Sequence, residues 1–268
     1  MTTADPEKDD LESSRAPLLE HLLELRSRLI WSLAVFAATF VLCYVFADDL
    51  YRFLTQPLLQ VFEEGKGEEG RRLIFTALQE TFFTYVRLAA FGALCLSFPF
   101  LASQIWLFIA PGLYRNERKA FLPFLVATPI LFAAGAALAY YVVIPLAIDF
   151  FLSFEAPGGE DRLAIELEAK VSEYLGLIMT LMFAFGVGFL LPVLLTLLGR
   201  AGIVSASDLR RQRKFAIVGI FAAAMFLTPP DPLSQVGLAL PLLLLYEISV
   251  WSVAMMERKR AEREAAED

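Results

Sequence analysis

The chain has 268 residues, of which 57% are apolar, and its formal charge at pH 7 is −7. Soluble domains are usually about 45–50% apolar, and the surplus here falls into long runs, which favours a bundle of helices in lipid. With 23 basic against 30 acidic side chains, the chain has no electrostatic footprint for nucleic acid, and we expect no nucleic-acid partner.

The N-terminal segment, residues 1–28, is acidic and polar at its start. It has neither the basic start of a secretion signal nor the Arg-rich composition of a transit peptide, so we expect the first apolar run to remain as an anchor. Residues 17–30 predict an amphipathic helix with a stripe of leucines on one face. His21, Glu24 and Arg28 form a second, polar stripe on that helix.

Six apolar segments follow, and a spanning helix needs about 20 mostly apolar residues. They are residues 29–47, 88–110, 121–145, 174–198, 215–228 and 233–256. Four of them qualify easily, and 233–256 is long enough although it carries Glu247. The segment 215–228 is short, and taken alone it fits a re-entrant segment as well as a span.

The distribution of Lys and Arg predicts the orientation, because these residues are enriched on the cytoplasmic side of a membrane. Six of the 23 lie in 48–78 and 150–173, whereas sixteen lie in 1–28, 111–120, 199–214 and 256–268. Both termini are therefore predicted to be cytoplasmic. Since 199–214 and 256–268 share a side, an even number of crossings joins them. We interpret 215–228 and 233–256 as two spans, with a pair of re-entrant segments as the alternative.

The predicted fold is thus an all-α, polytopic membrane protein of one domain, with six transmembrane helices and a cytoplasmic tail at 257–268. Prolines kink helices, and membrane helices tolerate them where neighbouring groups bind the freed carbonyls. Bent helices predict a concave bundle. The prolines inside the predicted spans are Pro99, Pro123, Pro129, Pro145, Pro192 and Pro241.

Several chemical signatures are absent from the sequence. It has no GxxxxGK[ST] loop, no HExxH motif and no GxSxG elbow, and it has one histidine. Cys43 and Cys95 lie in separate apolar runs and are interpreted as buried apolar residues. We therefore expect no metal, no cofactor and no enzymatic activity. A secondary transporter or channel for a small solute is the alternative function, although the spans show few charges and no inverted repeat.

The polar groups near the predicted inner face are the first candidates for a site. Glu24 is either a site residue or a surface carboxylate paired with Arg28 one helical turn away. Glu117 lies in the inner loop 111–119, which equally fits an ordinary positive-inside loop. The aromatic residues Trp106 and Phe108 precede that loop, and an interfacial aromatic belt also explains them.

Polar groups near the last two segments are the second set of candidates. Asp231 lies in a proline-stiffened turn, where it fits a helix cap, and Gln235 follows it. Glu247 is predicted near the middle of a span. A charged side chain at that depth costs about 2.5–3.5 kcal/mol on insertion scales, so we expect it to face the bundle or a wet groove.

These segments together resemble the TatC family, the polytopic core of the twin-arginine protein translocase. The matching stretches run in order along nearly the whole chain: HLLELRSRL at 21–29, FIAPGLYRNER at 108–118, FGVGFLLP at 185–192, TPPDPLSQ at 228–235 and PLLLLYE at 241–247. One such motif is weakly specific, whereas several in order are strong. The resemblance implies a receptor for the signal peptides of folded cargo proteins in the bacterial cytoplasmic membrane.

The resemblance also implies which residues bind the signal peptide. Two cytoplasmic glutamates of the family, which recognise the paired arginines of the peptide, map to Glu24 and Glu117. Arg26, Arg28 and Arg118 would orient them, and Trp106 and Phe108 would pack the apolar part of the peptide.

The resemblance further implies single-span partners, TatA and TatB, further copies of the chain in the complex, and transport driven by the proton-motive force. Gln235, Glu247 and Asp231 are the candidates for facing a partner helix. One position departs from the pattern, since Leu190 stands where the family commonly carries a glutamate.

Overall fold

A computed structural model describes residues 6–64, 72–113, 122–156, 163–227 and 232–267. These residues are almost entirely helical, and their β pairing is limited to two isolated bridges, Ile74–Lys170 and Ala156–Ile165. The predicted all-α fold is therefore confirmed. The helices are α1 Pro6–Val45, α2 Ala47–Glu64, α3 Glu80–Leu113, α4 Leu122–Leu138, α5 Ile144–Leu152, α6 Val171–Gly188, α7 Leu191–Arg200, α8 Ala206–Arg211, α9 Arg213–Leu227 and α10 Pro232–Glu267.

Within the described residues, five helical stretches are long and apolar enough to cross a membrane. They are Leu22–Val45, Glu80–Phe108, Pro123–Leu152, Val171–Arg200 and Ser234–Lys259. The predicted fifth span, 215–228, coincides with α9, which has 15 residues. A helix of that length rises about 22 Å at 1.5 Å per residue, less than the roughly 30 Å of a hydrocarbon core. The sixth crossing, the inside location of the termini and the concave shape therefore stay predictions.

The helices place the connections at two opposite ends of the bundle. We call one the α2 end, which comprises α2, residues 72–79, residues 163–170 and the adjoining ends of α3, α5 and α6. The other is the α8 end. It comprises α8, residues 201–205, the beginning of the span in α1, the last turns of α3 and the C-terminal part of α10 from residue 246 onward. The sequence predicts that the α2 end is outside and the α8 end inside.

Two tyrosine hydroxyls connect α2 to the rest of the bundle, next to a proline in that helix. Pro57 lies inside α2 and has no N–H, so the carbonyl of Phe53 one turn earlier loses its helical donor. The hydroxyl of Tyr140 donates to this carbonyl at 2.6 Å. The hydroxyl of Tyr174 donates to the adjacent Leu54 carbonyl at 3.1 Å. Two tyrosines from different spans therefore hold the kinked helix.

Glu80 joins the two long connections at the α2 end. Its carboxylate accepts the Thr76 N–H at 2.8 Å and the Ser172 hydroxyl at 2.6 Å. Beside it, Ile74 donates its N–H to Ala169, and its carbonyl accepts the N–H of Val171, both at 3.0 Å. The segment before α3 is thus bound to the beginning of α6.

Small residues allow the spans to approach closely. A Cβ on Gly135 of α4 would overlap the carbonyl oxygen of Phe185 in α6, and a Cβ on Gly186 would lie 2.6 Å from the Phe132 ring. Between α1 and α3, Ala89 and Ala93 are fully buried beside Cys43. Close approach of small residues is how helices pack in lipid, where burial of apolar surface gives little driving force.

Two of the prolines coincide with breaks in long helices. Pro145 follows a π-helical turn, Ala139–Val143, in which the Ile144 N–H bonds to the Ala139 carbonyl five residues earlier. This wider turn directs the buried Tyr140 towards α2. Pro192 stands at the start of α7, directly after the break that separates α7 from α6.

Candidate functional site

At the α8 end, α1 and α3 are joined by one polar contact that involves three side chains. The guanidinium of Arg28 donates to Glu24 Oε1 through Nε at 3.0 Å and Nη2 at 2.6 Å. Its Nη1 donates to Gln104 Oε1 on α3 at 3.1 Å. Arg28 therefore bridges the two helices, and Glu24 lies at the edge of the bridge.

The helix geometry of α1 explains the pairing. Glu24 and Arg28 are four residues apart, so both lie on one face of α1. Their side chains are 36% and 24% exposed. An exposed pair of this kind contributes about 0.2–1 kcal/mol, so it orients Glu24 without committing it strongly to Arg28. Arg26 is exposed on a different face of the helix.

The two aromatic candidates lie on different faces of α3. The indole N–H of Trp106 donates to the Thr128 hydroxyl of α4 at 3.0 Å, and Thr128 is 2% exposed. Phe108 is four residues after Gln104, so it shares the face of α3 that contacts α1. The structure therefore connects Trp106 with the α3–α4 contact, and Phe108 with the side of Glu24.

Three of the predicted site residues lie outside the described residues. Glu117 and Arg118 belong to the loop between α3 and α4, and Asp231 belongs to the turn before α10. The segment that contains Glu117 and Arg118 follows α3, the helix that carries Gln104 and ends at Leu113.

The remaining two candidates lie on α10. Gln235 donates to the Phe221 carbonyl of α9 at 3.4 Å. Glu247 accepts a 2.7 Å bond from Arg213 Nη2, and the two side chains are 52% and 49% exposed. Arg213 is the first residue of α9, so Glu247 lies beside the end of that helix rather than deep in the bundle. The expectation that Glu247 faces the bundle or a wet groove stays a prediction, and the structure adds Arg213 as its ion-pair partner.

Sequence reasoning missed Gln104. In the sequence it is one polar residue near the end of a long apolar run, and nothing in its neighbours shows that it contacts α1. The i,i+4 spacing of Gln104 and Phe108 was the available signal, since it places both on one face. Within the described residues, no group of three or more His, Cys, Asp or Glu side chains is placed to hold a metal ion.

Comparisons with known proteins agree over most of the chain. The family model for the Sec-independent protein translocase protein (TatC) matches residues 20–241. The chain is 48% identical to the TatC protein of Magnetococcus marinus, over 95% of this chain and 90% of that protein. The TatC protein of Escherichia coli K12 is 40% identical, over 88% of this chain and 87% of that protein. The chain belongs to the TatC family.

The fold supports this membership independently. A crystal structure of the twin-arginine translocase receptor TatC in DDM superposes with a TM-score of 0.74 at 35% identity. The match covers 86% of this chain and 98% of that chain. The predicted family, the membrane-embedded all-α fold and the role in a Sec-independent protein translocase are therefore confirmed. TatC proteins are components of a protein translocase, a membrane transport system.

Leu190, the departure from the TatC pattern, lies at the break between α6 and α7. Its N–H donates to the Val187 carbonyl at 3.0 Å, and its side chain is half-buried. The break is therefore present here without a carboxylate at this position, and Pro192 follows it at the start of α7.

Proposed function

We propose that this chain is the signal-peptide receptor and core subunit of a twin-arginine translocation system, which exports folded proteins with the proton-motive force. It would bind the paired arginines of a signal peptide at the α8 end, with Glu24 and Glu117 as the acceptors. The observation that carries the proposal is the bridge of Arg28 to Glu24 and Gln104. It presents an oriented, part-exposed carboxylate where α1 contacts α3, the helix that leads into the segment containing Glu117.

The chemistry of arginine suits this arrangement. A guanidinium stays charged and offers a planar fork, so it forms charge-assisted and often bidentate bonds with a carboxylate. A lysine ammonium is a point charge and cannot reproduce that geometry. Arg28 already donates to Glu24 Oε1 through two of its nitrogens, which supports this carboxylate as an acceptor for a guanidinium. An incoming arginine can bind in the same manner because the exposed pair is weakly held.

Gln104 would act as a positioning residue for this site. It accepts from Arg28 through a nitrogen that does not touch Glu24, so it can keep Arg28 in place while Glu24 changes partner. Arg26 and Arg118 would limit the repulsion between the two glutamates. Phe108 would contact the apolar part of the peptide, and Trp106 would support it from the α4 side.

The orientation and the partners belong to the same proposal. The α8 end would face the cytoplasm of a bacterium, with both termini on that side of the inner membrane and six spans in one domain. TatA, TatB and further copies of the chain would assemble around it. Gln235, Glu247 and Asp231 would face a partner helix. The basic residues concentrated in 199–214 and 256–268 support this orientation.

Binding of a fluorescent twin-arginine signal peptide to the purified full-length protein in lipid nanodiscs tests the proposal. Glu24→Gln and Glu117→Gln should each weaken binding at least tenfold, because a hydrogen bond to a charged group contributes about 1.5–3 kcal/mol. A peptide with two lysines should bind the wild type at least tenfold more weakly. The matched control is Glu262→Gln, an exposed carboxylate on the α10 tail, which should bind like the wild type.

Equal affinity of the wild type for the Arg-Arg and Lys-Lys peptides would refute the recognition step. Loss of binding in Glu262→Gln would instead indicate general electrostatic attraction. If the chain were a solute transporter or channel, neither peptide would bind, and the glutamate variants would change nothing.

Cysteine labelling in intact cells tests the orientation. In a background with Cys43 and Cys95 replaced, Leu163→Cys should react with an impermeant maleimide, whereas Ser207→Cys should react only after lysis. Leu163 is 89% exposed and Ser207 is also exposed, so accessibility does not limit either reaction. The reverse labelling pattern would refute the proposed orientation.

A further inference from the structure

A cavity of about 490 Å³ opens at the α8 end, away from the Glu24 site. It lies between the end of α7, the segment 203–204, α8, the first turn of α9 and α10. Its lining is mainly apolar and includes Leu195, Val204, Phe215, Ala216 and Tyr246. Its polar lining includes Asp208 of α8 and Gln212, the residue that follows α8.

The walls of this cavity are fixed by hydrogen bonds. The hydroxyl of Tyr246 donates to the Leu209 carbonyl at 2.8 Å, and both residues are 7% exposed. Glu257 of α10 accepts the Ala206 N–H at 2.9 Å, at the start of α8. Ser205 caps α8, since its hydroxyl accepts the Asp208 N–H at 3.1 Å. The cavity is therefore formed before any ligand binds.

Cations surround the opening through contacts with residues of the lining. Arg211 Nη2 lies 3.7 Å from Asp208 Oδ1, and Lys214 Nζ lies 5.2 Å from the centroid of the Phe215 ring. Arg213 pairs with Glu247, the neighbour of Tyr246. With the exposed Arg210, four cations stand against the carboxylates of Asp208, Glu247 and Glu257, and the first two of these already pair with an arginine. The opening is therefore positive on balance.

The opening lies where the apolar surface of the bundle ends. Phe215 and Val218 of α9 are 66% and 67% exposed, and Ile203 beside α8 is 63% exposed. On the side away from these apolar residues, the opening borders directly on the charged residues of α8. A ligand that fits must place an apolar part in the cavity and a negative group among the cations at the membrane surface.

We propose that this cavity binds one anionic phospholipid of the inner leaflet. An acyl chain would lie against Leu195, Phe215 and Ala216, and the phosphate would contact Arg211 and Lys214. Basic pockets between spans on the cytoplasmic side are suited to anionic head groups. The assignment to the inner leaflet rests on the proposed orientation, whereas the binding itself does not.

Native mass spectrometry of the purified full-length protein in detergent tests this. Phosphatidylglycerol and phosphatidylcholine with identical acyl chains are added at equal concentrations. The wild type should retain one phosphatidylglycerol per chain, at least fivefold more often than phosphatidylcholine. The variant R211Q/K214Q should lose at least four fifths of this retention. Ala216→Phe, which fills the cavity, should lose the retention of both lipids.

The matched control is R52Q/R87Q, which removes the same charge from exposed positions on α2 and in the first turns of α3. These positions lie at the opposite end of the bundle, and this variant should retain lipid like the wild type. Equal loss in both double variants, equal retention of the two lipids, or no retained lipid in the wild type would overturn the proposal.

Thermal unfolding in lipid-free detergent shows whether each variant is folded. If Ala216→Phe does not fold, the lipid retention of R211Q/K214Q decides whether the proposal holds. Glu24→Gln should retain lipid normally, so failure of this inference and failure of peptide recognition are distinguishable.

Discussion

Two polar contacts at opposite ends of the bundle differ in burial. At the α2 end, the hydroxyls of Tyr140 and Tyr174 bond to carbonyls of α2, and these residues are 5% and 7% exposed. At the α8 end, the side chains of the Glu24–Arg28 ion pair are 36% and 24% exposed. Breaking a buried bond leaves a group without a partner, whereas a partly exposed ion pair exchanges partners at a lower cost. The contacts of α2 therefore fix the position of that helix, and the Glu24–Arg28 contact is of the exchangeable kind that a peptide ligand needs.

The largest effect on stability is expected where α4 and α6, two helices that run between the ends of the bundle, contact each other. Gly135→Ala places a methyl group against the backbone carbonyl of Phe185, and backbone cannot yield as a side chain can. We expect a loss of about 3 kcal/mol, measured by thermal unfolding in detergent. The matched control is Gly176→Ala, because no atom lies within 4 Å of the added Cβ. It should stabilise the helix by up to about 1 kcal/mol, and equal effects of the two would contradict this packing.

The next largest effect is expected from the loss of a hydrogen bond that connects α2 to the bundle. Tyr140→Phe keeps the ring but leaves the Phe53 carbonyl without a donor, since Pro57 cannot supply one. We expect a loss of about 1–3 kcal/mol in unfolding free energy, with unchanged peptide affinity. Tyr141→Phe is the control, because Tyr141 is 70% exposed. It should lie within about 0.5 kcal/mol of the wild type, and an equal loss would rule out the hydroxyl as the cause.

A smaller effect is expected at the α8 end from the residue that holds Arg28. Gln104→Leu removes the acceptor of Arg28 Nη1, so Glu24 loses its fixed orientation. We expect about fivefold weaker binding of a twin-arginine peptide, equivalent to roughly 1 kcal/mol, with unchanged thermal stability. Ser103→Ala removes a hydroxyl that bonds within α3 and should bind like the wild type. A drop in stability without a change in affinity would contradict the positioning role.

The smallest effect concerns the exposed part of the α2 end. Glu80→Gln weakens the contacts with Thr76 and Ser172, because the neutral amide is a poorer acceptor than the carboxylate. The amides of Ile74 and Val171 should then exchange with deuterium several-fold faster, while the rest of the chain exchanges as before. Glu173→Gln, whose carboxylate is 72% exposed, is the control. Unchanged exchange in Glu80→Gln would show that the two connections are held by their backbone bonds alone.

The sequence predicted the elements of this fold better than their contacts. Long apolar runs can be read directly from the sequence, so the helical membrane fold was predictable. The i,i+4 spacing also indicated the Glu24–Arg28 pair. The partners of Arg28 and Glu247 on other helices depend on how the helices rotate against one another. A single sequence does not contain that information, which is why Gln104 and the Arg213–Glu247 pair were missed.

A single sequence also does not show which group replaces the hydrogen bond that a proline removes. Pro57 indicates that one carbonyl of α2 needs another donor, but the donor is Tyr140, which lies 87 residues away from Phe53 in the chain. The break between α6 and α7 forms with Leu190 at the position where the family commonly carries a glutamate.

The most direct test of the difference between the two ends measures two quantities on two variants. Peptide affinity and thermal stability are determined side by side for Glu24→Gln and Tyr140→Phe in nanodiscs. We expect at least tenfold weaker binding with unchanged stability for Glu24→Gln, and lower stability with unchanged binding for Tyr140→Phe. If Glu24→Gln lowered stability as much as Tyr140→Phe, or left peptide affinity unchanged, the distinction between a structural contact at Tyr140 and a binding contact at Glu24 would be wrong.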